Sequence, residues 1–475
     1  MLAAGDYTEP VDVAVDGTAA APIAFVAEPG ATMHATLTIQ GHAHLVVAGI
    51  LFDSPDAQMW LRVDGSDLRI VGNAFDSHAR NRDDGAFVGL ALAGERLEVC
   101  GNAFGSWLGD MVSADGVDGL AIVNNDFALA SAQHALVAIV GHHVLIRGNA
   151  FRNPWQRTLH ISDRTASDGS EDIVVENNTF IDSDWQTGAP NPSNEEQFQG
   201  GNEVVRFLGV RGIFRNNLLV GNHEGNDWAC HGILNFSTFI SGAGIDARRY
   251  AQFRVYANTF DANQTTSIIF YVGEPGIDLA DNQFKNNVIT NPEQYAISMC
   301  SAQIPWPTYR FAGNLVPGAT VHLDDSAPSG IPILAAQVEQ PSVFANNLDA
   351  QPTYVDPTFA ARVAADFTSY GVDHLADAFA AYRLADASAG RRTAVALTTV
   401  RSSIASALVV PVEDALWFSD GMGLVPGDQI RIGATVATIV ARDVEGRALT
   451  VDTPVTAAIG DPIVLAADTG DLGIR

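Results

Sequence analysis

The sequence predicts an all-β chain: a right-handed parallel β-helix, or solenoid, with a short helical segment and a small C-terminal β domain. Three observations carry that expectation. A short phrase, Gly/Asn-Asn-x-Phe after a β-rich run, returns along the first two thirds of the chain. Its spacing has a floor near 23 residues with longer outliers: from Phe52 the aromatic or leucine position advances by 23, 29, 23, 24, 29, 39, 41 and 24 residues. The runs before it, such as Leu68-Arg69-Ile70-Val71 and Leu120-Ala121-Ile122-Val123, read as buried parallel strands. A solenoid coil of three short strands gives such a pattern, because insertions swell only the turns between strands. A sandwich or propeller of hairpins fits less well, since Asn-Gly pairs are absent and propeller blades repeat at about 40 residues or more.

In chain order, the first degenerate copy is Gly49-Ile50-Leu51-Phe52. Clear copies follow at Gly72-Asn73-Ala74-Phe75, Gly101-Asn102-Ala103-Phe104, Asn124-Asn125-Asp126-Phe127, Gly148-Asn149-Ala150-Phe151 and Asn177-Asn178-Thr179-Phe180. The series continues through Asn216-Asn217-Leu218-Leu219, Ala257-Asn258-Thr259-Phe260 and Asp281-Asn282-Gln283-Phe284. Glycine or asparagine supplies the left-handed turn conformation. The asparagines are placed to hydrogen-bond from coil to coil, and each phenylalanine to point inward and stack on the next. Right-handedness follows from the general preference of parallel crossovers. The expected division is a β-helix over 1–355, an Ala-rich helical cap or linker over 356–394 that closes the open end, and an all-β domain over 395–475.

With 26 basic and 55 acidic residues the net charge is −29, which argues against nucleic acid as a partner. Lys285 is the single lysine, so nearly all positive charge is arginine, the residue that grips carboxylates with a rigid fork. No run of about 18 apolar residues occurs, so no membrane span is expected. Three cysteines, Cys100, Cys230 and Cys300, make neither a disulfide framework nor a zinc spacing. Residues 1–5 show neither the charged nor the apolar region of a signal peptide, yet the expected location is secreted or cell-surface, where polysaccharide is met. Oligomeric state is not legible.

Candidate chemistry concentrates where coils are longest, between Phe180 and Phe260. Candidate catalytic groups there and on neighbouring coils are Arg206, His231, Tyr271, His160 and Arg157. Trp155, Trp185 and Trp228 could stack on sugar faces, with Arg164 as a further substrate contact. Asn202, Glu203, Glu224 and Asp227 form an oxygen-rich set of the kind calcium prefers. Each has a blander reading: a coil-surface ion pair for Glu203 and Arg206, packing for the tryptophans, turn hydrogen bonding for His160 and His231.

The stretch Gly201-Asn202-Glu203-Val204-Val205-Arg206-Phe207-Leu208-Gly209, followed by Phe214-Arg215-Asn216-Asn217-Leu218-Leu219, resembles the chondroitinase B and alginate lyase family of β-helix polysaccharide lyases over roughly residues 196–285. The resemblance implies β-elimination on a uronic-acid polymer such as alginate, pectate or chondroitin, with calcium held by acidic side chains to which Glu224 and Asp227 correspond. It also implies a lysine base and a catalytic arginine. Ile233-Leu234-Asn235-Phe236-Ser237 and Tyr271-Val272-Gly273 stand where those two residues belong, and neither stretch contains them.

Such elimination needs a group to neutralise the uronate carboxylate, a base for the C5 proton and an acid for the leaving oxygen. Arg206, Arg157 or bound calcium would neutralise; His231, His160 or Tyr271 would serve as base or acid. The expected function is therefore binding and β-eliminative cleavage of an acidic polysaccharide. The alternatives are a non-catalytic, adhesive or tailspike-like β-helix that binds glycan, and a glycoside hydrolase using carboxyl pairs such as Asp163 with Glu203, or Glu224 with Asp227.

Overall fold

A computed structural model describes the chain except residues 54–58, 77–87, 106–109, 129–134, 153–156, 162–169, 182–203, 223–231, 239–250, 264, 273–279, 301–305, 324–329, 367–369 and 475. Of Met59, Ala135, Arg157, Ser237, Thr238, Tyr271, Val272, Trp306 and Ala364 it describes the backbone alone.

Each coil contributes strands to three faces. The third face is an 11-stranded sheet running from Gly5–Tyr7 to Val288–Thr290, its neighbours paired in parallel. The first and second faces are joined in early coils by long bent strands, Met59–Val71, Val88–Cys100, Asp110–Val123 and Ala135–Arg147. From there they separate: Ala135–Arg147 pairs with both Arg157–Ile161 on the first face and Glu171–Glu176 on the second. This register, repeated coil after coil, is a parallel β-helix.

The corner between the second and third faces explains the repeated phrase. Its first residue is left-handed: Gly72 at φ 62°, Asn124 at 55°, Asn216 at 51°. Its second residue is a buried asparagine, and ten of these stack from Asn73 to Asn347. The Asn178 amide donates to Asn217 Oδ1 at 3.0 Å, to Ile146 O at 3.0 Å and to Glu176 O at 3.0 Å, while Asn178 Oδ1 accepts from Asn149 N and Nδ2. At the far end, helix α1 (Ile333–Glu339) finishes the ladder: Gln337 Oε1 accepts from Asn347 N and Gln337 Nε2 donates to Asn347 O.

Phenylalanines file up the bore. Phe52, Phe75, Phe104, Phe127, Phe151 and Phe180 stack with ring centroids 4.7 to 4.9 Å apart. Leu219 interrupts that file. One copy of the phrase is corrected here. Phe284 pairs with Val255 on the second face, so Asp281–Phe284 does not form the asparagine corner; that corner of the coil is Asn286-Asn287-Val288-Ile289, with Ile289 beneath Phe260. Phe284 instead starts a second file with Phe311 and Phe344.

The helical segment also differs from its expected place. Helices α2 (Phe359–Ala365) and α3 (Leu375–Ala381) pack Phe359, Val363, Ala378 and Tyr382 against Ile181, Leu218 and Val220, on the flank of the third face. It is α1, with Ile333 and Ala336 in the bore's core, that closes the end. An amphipathic helix covers whichever apolar strip is bare, and the outward side chains of Leu218 and Val220 provided one.

The last strands, from Thr398–Thr399 to Pro462–Leu465, form a six-stranded antiparallel sheet. Its core, including Trp417, Ile430 and Leu449, is continuous with Leu145, Val174, Ile213 and Tyr256 on the second face. Around that seam run buried ion pairs. The Arg215 fork meets both oxygens of Asp428 at 2.6 Å and its Nε reaches Glu176 at 2.5 Å; Arg254 bridges Asp414 and Asp281. Lys285 lies 4.4 Å from the Trp417 ring centroid and donates to Leu397 O, and burial pulls its amine down to about 8.

Replacing Asn178 with Ala strands several buried donors and acceptors, so stability should fall by about 3 kcal/mol in urea melts, whereas Asn124→Gly at a left-handed corner should stay within about 0.5 kcal/mol. Burial raises the Glu176 carboxyl, but Arg215 and Arg147 outweigh it and hold it below its ordinary 4.5. A depressed acid stabilises above its unfolded value and loses that contribution as pH falls through the folded one. Melting temperature should therefore drop on acidification below about pH 4.5. Arg215→Met should flatten that dependence, with about 3 to 5 kcal/mol lost at neutral pH because Glu176 and Asp428 stay buried without their partner.

Candidate functional site

On the first face, alternate residues enter the bore: Leu159, Ile161, Val205, Phe207, Leu234 and Phe236 all join the main core. The residues between them point outward, and the register sets them in a column: His160 beside Arg206, Arg206 beside Asn235, then Ile269, Ser298 and His322. The same column in earlier coils is open, with Arg62 exposed and Ala91 and Ser113 half-buried. From Ala138 onward it is buried; His160 and Arg206 are each 6% exposed and Asn235 fully covered. The change precedes the long insertions, the first of which lies between His160 and Arg206. Residues 182–204 connect Ile181 to Val205, 221–231 connect Val220 to Gly232, and 239–253 connect Thr238 to Arg254, so every one of them ends on a first-face strand or begins from one.

The stem of one insertion is fixed by a second, shorter asparagine ladder. Asn222 donates through Nδ2 to Asn263 Oδ1 at 3.0 Å and to Phe180 O at 3.0 Å, and both asparagines are buried. Asn222, the last described residue before Gly232, is thus rigidly held.

Among the sequence candidates, the structure brings His160 and Arg206 together as register neighbours. Tyr271 stands at the strand position two beyond Ile269, paired with Ser237, and Arg157 three before His160; for these the backbone position alone is described. Trp155, Arg164, Trp185, Asn202, Glu203, Glu224, Asp227, Trp228 and His231 lie outside the described residues, as does Asp163. Among the described residues no group of three or more His, Cys, Asp or Glu could hold a metal ion.

Two points bear on the resemblance. Phe236, at the place of the family's lysine, is fully buried in the bore and stacks on Phe270 at 5.0 Å, so this position presents no side chain to the outward face. Asn235, which the sequence reading did not single out as a site residue, holds the outward position instead. Further along the column, Ser298 Oγ and His322 Nδ1 lie 3.1 Å apart, with Tyr295 stacked on His322 at 5.0 Å. The sequence carried no signal for this pair, because only the register aligns Ser298 with His322.

No protein-family model matches the chain, and no curated protein does. Solved structures do match. A variant of the PL6 family alginate lyase AlyGC is 14% identical with a TM-score of 0.49, covering 74% of this chain and 50% of that one. A mannuronic acid specific polysaccharide family 6 lyase from human gut microbiota is 13% identical with a TM-score of 0.46, covering 79% of this chain and 91% of that one. The tailspike protein gp49 from Acinetobacter baumannii bacteriophage Fri1, a capsular polysaccharide depolymerase, is 9% identical with a TM-score of 0.35, covering 93% and 78%. The chain spans about half the length of AlyGC. At these identities and scores the likeness gives no residue a role, and the parallel β-helix rests on the strand register itself.

Proposed function

We propose that the chain binds an acidic, uronic-acid-containing polysaccharide along the outward column of the first face and cleaves it by β-elimination. The observation that carries this reading is the placement of Arg206 beside His160, one rung apart on the face that the long insertions adjoin.

Neighbouring strands lie about 4.8 Å apart. An arginine and a histidine at that separation can address the carboxylate and the C5 hydrogen of one sugar ring. Arg206 neutralises the carboxylate through its fork, which lowers the cost of carbanion character at C5. Neutral His160 takes the C5 proton as the bond from C4 to the bridging oxygen breaks. Electrons from the C5–H bond form the C4=C5 double bond, and the leaving oxygen takes a proton from an acid, the role kept for Tyr271 or His231. Asn235, next in the column, adds a carboxamide able to hold the same carboxylate. Calcium, should the segment with Asn202, Glu203, Glu224 and Asp227 hold it, would supply further neutralising charge. A secreted or cell-surface location goes with such a polymer.

Incubation with alginate, pectate and glycosaminoglycans should raise absorbance near about 235 nm as the unsaturated ends form, chemistry of the kind general-base catalysis drives. His160→Ala should lower kcat by about 10² to 10⁴-fold and flatten the pH profile; Arg206→Ala should abolish turnover while the far-UV spectrum stays that of the folded parent. New reducing ends without absorbance would turn the reading to hydrolysis. Binding with neither signal would turn it to a glycan-binding solenoid.

A further inference from the structure

A second groove lies away from the first face, where the C-terminal sheet meets the solenoid. The corner between first and second faces is formed by one left-handed residue per coil, among them Asp172 (φ 53°), Arg211 (58°), Gln252 (68°) and Asp281 (58°). Opposite them stand the hairpin around Asp443-Val444-Glu445 and the loop at Asp420. Two cavities open between these walls. One of about 640 Å³ reaches from Asp172 and Arg211 to Asp420, Val440 and Asp443; one of about 420 Å³ reaches from Gln252 and Asp281 to Glu413 and Arg447. Val444 and Glu445 line both, so the two are consecutive stretches of one seam along the solenoid axis.

The charges facing it are largely spent. Asp172 is held by Arg211 at 2.9 Å and by Arg442 at 2.5 Å; Arg254 is held by Asp281 at 2.8 Å and Asp414 at 2.9 Å. Asp420, Asp443, Glu413 and Glu445 are the carboxylates left over, against Arg447 as the cation with no carboxylate partner among the described residues. A uronate entering here meets surplus negative charge. A hydroxyl both donates and accepts, which suits carboxylates such as Asp420 and Asp443, each already taking one backbone N–H, beside Arg–Asp forks, whereas an ammonium only donates. Val440, 55% exposed, and Met422 offer apolar surface for the C–H face of a ring.

We propose that this seam is a binding site for neutral, hydroxyl-rich saccharide units, which lie along the solenoid axis against successive corner residues. Joined to the first-face reading, on which this last step rests, it narrows the polymer class to a heteropolysaccharide with neutral units beside its uronates. The seam's own binding does not depend on the chemistry at Arg206.

Isothermal titration of the full chain with malto-, cello-, manno- and galacto-oligosaccharides, oligogalacturonate and chitosan oligomers tests it. At least one neutral series should bind. Val440→Trp, which fills the cavity from an exposed position, should weaken that binding about tenfold or more. Glu445→Gln, at the exposed hairpin tip, should weaken it severalfold and serves if the tryptophan variant misfolds. Arg206→Ala should leave neutral binding intact even where it abolishes turnover, so the two readings fail separately. The proposal is overturned if no neutral oligosaccharide binds, if the oligogalacturonate or chitosan series alone binds, or if neutral binding is unchanged in the folded seam variants.

Discussion

A buried carboxamide has two N–H donors and an acceptor oxygen, and away from water each must find a partner inside the protein. Among the described residues the ladder asparagines meet that demand with a backbone carbonyl and with the asparagine one coil away. Asn102 supplies the acceptor for Asn73, Asn125 for Asn102, and the series runs unbroken to Asn347. The ladder therefore fixes the register of every coil. A strand slipped by one residue would turn its outward column into the bore and break the ladder at once. Insertions are tolerated because they leave from other corners: the step from Asn178 to Asn217 spans 39 residues and from Asn217 to Asn258 spans 41, with bonds of 3.0 and 3.1 Å against 3.0 Å in a shorter coil.

That register creates the outward columns. On the first face it brings His160, Arg206 and Asn235, which are far apart in sequence, to adjacent rungs. On the second face it alternates Arg147, Glu176 and Arg215, the one carboxylate held between two arginines, and the C-terminal sheet docks there by presenting Asp428 to the last of them. Ion pairs so deeply buried contribute little net stability, since desolvation cancels most of the attraction. Their effect is on placement, because a sheet set one coil out would leave Arg215 and Asp428 without partners. The docked sheet in turn forms one wall of the seam.

The corner between first and second faces follows a different rule from the asparagine corner. His44, Asp67, Arg96, His143, Asp172 and Arg211 all adopt left-handed conformations there. Gly119, at φ 80°, takes the position in the coil between Arg96 and His143; in these other coils neither glycine nor asparagine advertises the turn. Pairs such as Arg96 with Asp67 at 2.7 Å and His143 with Asp118 at 2.7 Å join side chains on adjacent coils. Local propensity is overridden by contacts between coils, and the trace left in the sequence is a charged or histidine residue at steps of 23 to 39 residues, broken once by Gly119.

The sequence by itself determined the winding, the asparagine corner and most of the phenylalanine file, because those depend on residue types that have few other uses and recur at a legible period. It misplaced one corner, at Phe284, where Asn282 and Asn287 lie close enough for either to fit the phrase and only strand pairing tells them apart. It also sent the helices α2 and α3 to the solenoid's end, since periodicity shows that a helix has an apolar face but not which surface is bare. Arg206 and His160 could be picked out as residues of the right chemistry; their adjacency, the burial of Phe236 and the seam beside Asp172 were decided by tertiary structure alone. Each depends on which residues become neighbours across coils, and insertions of variable length erase that information from the linear chain.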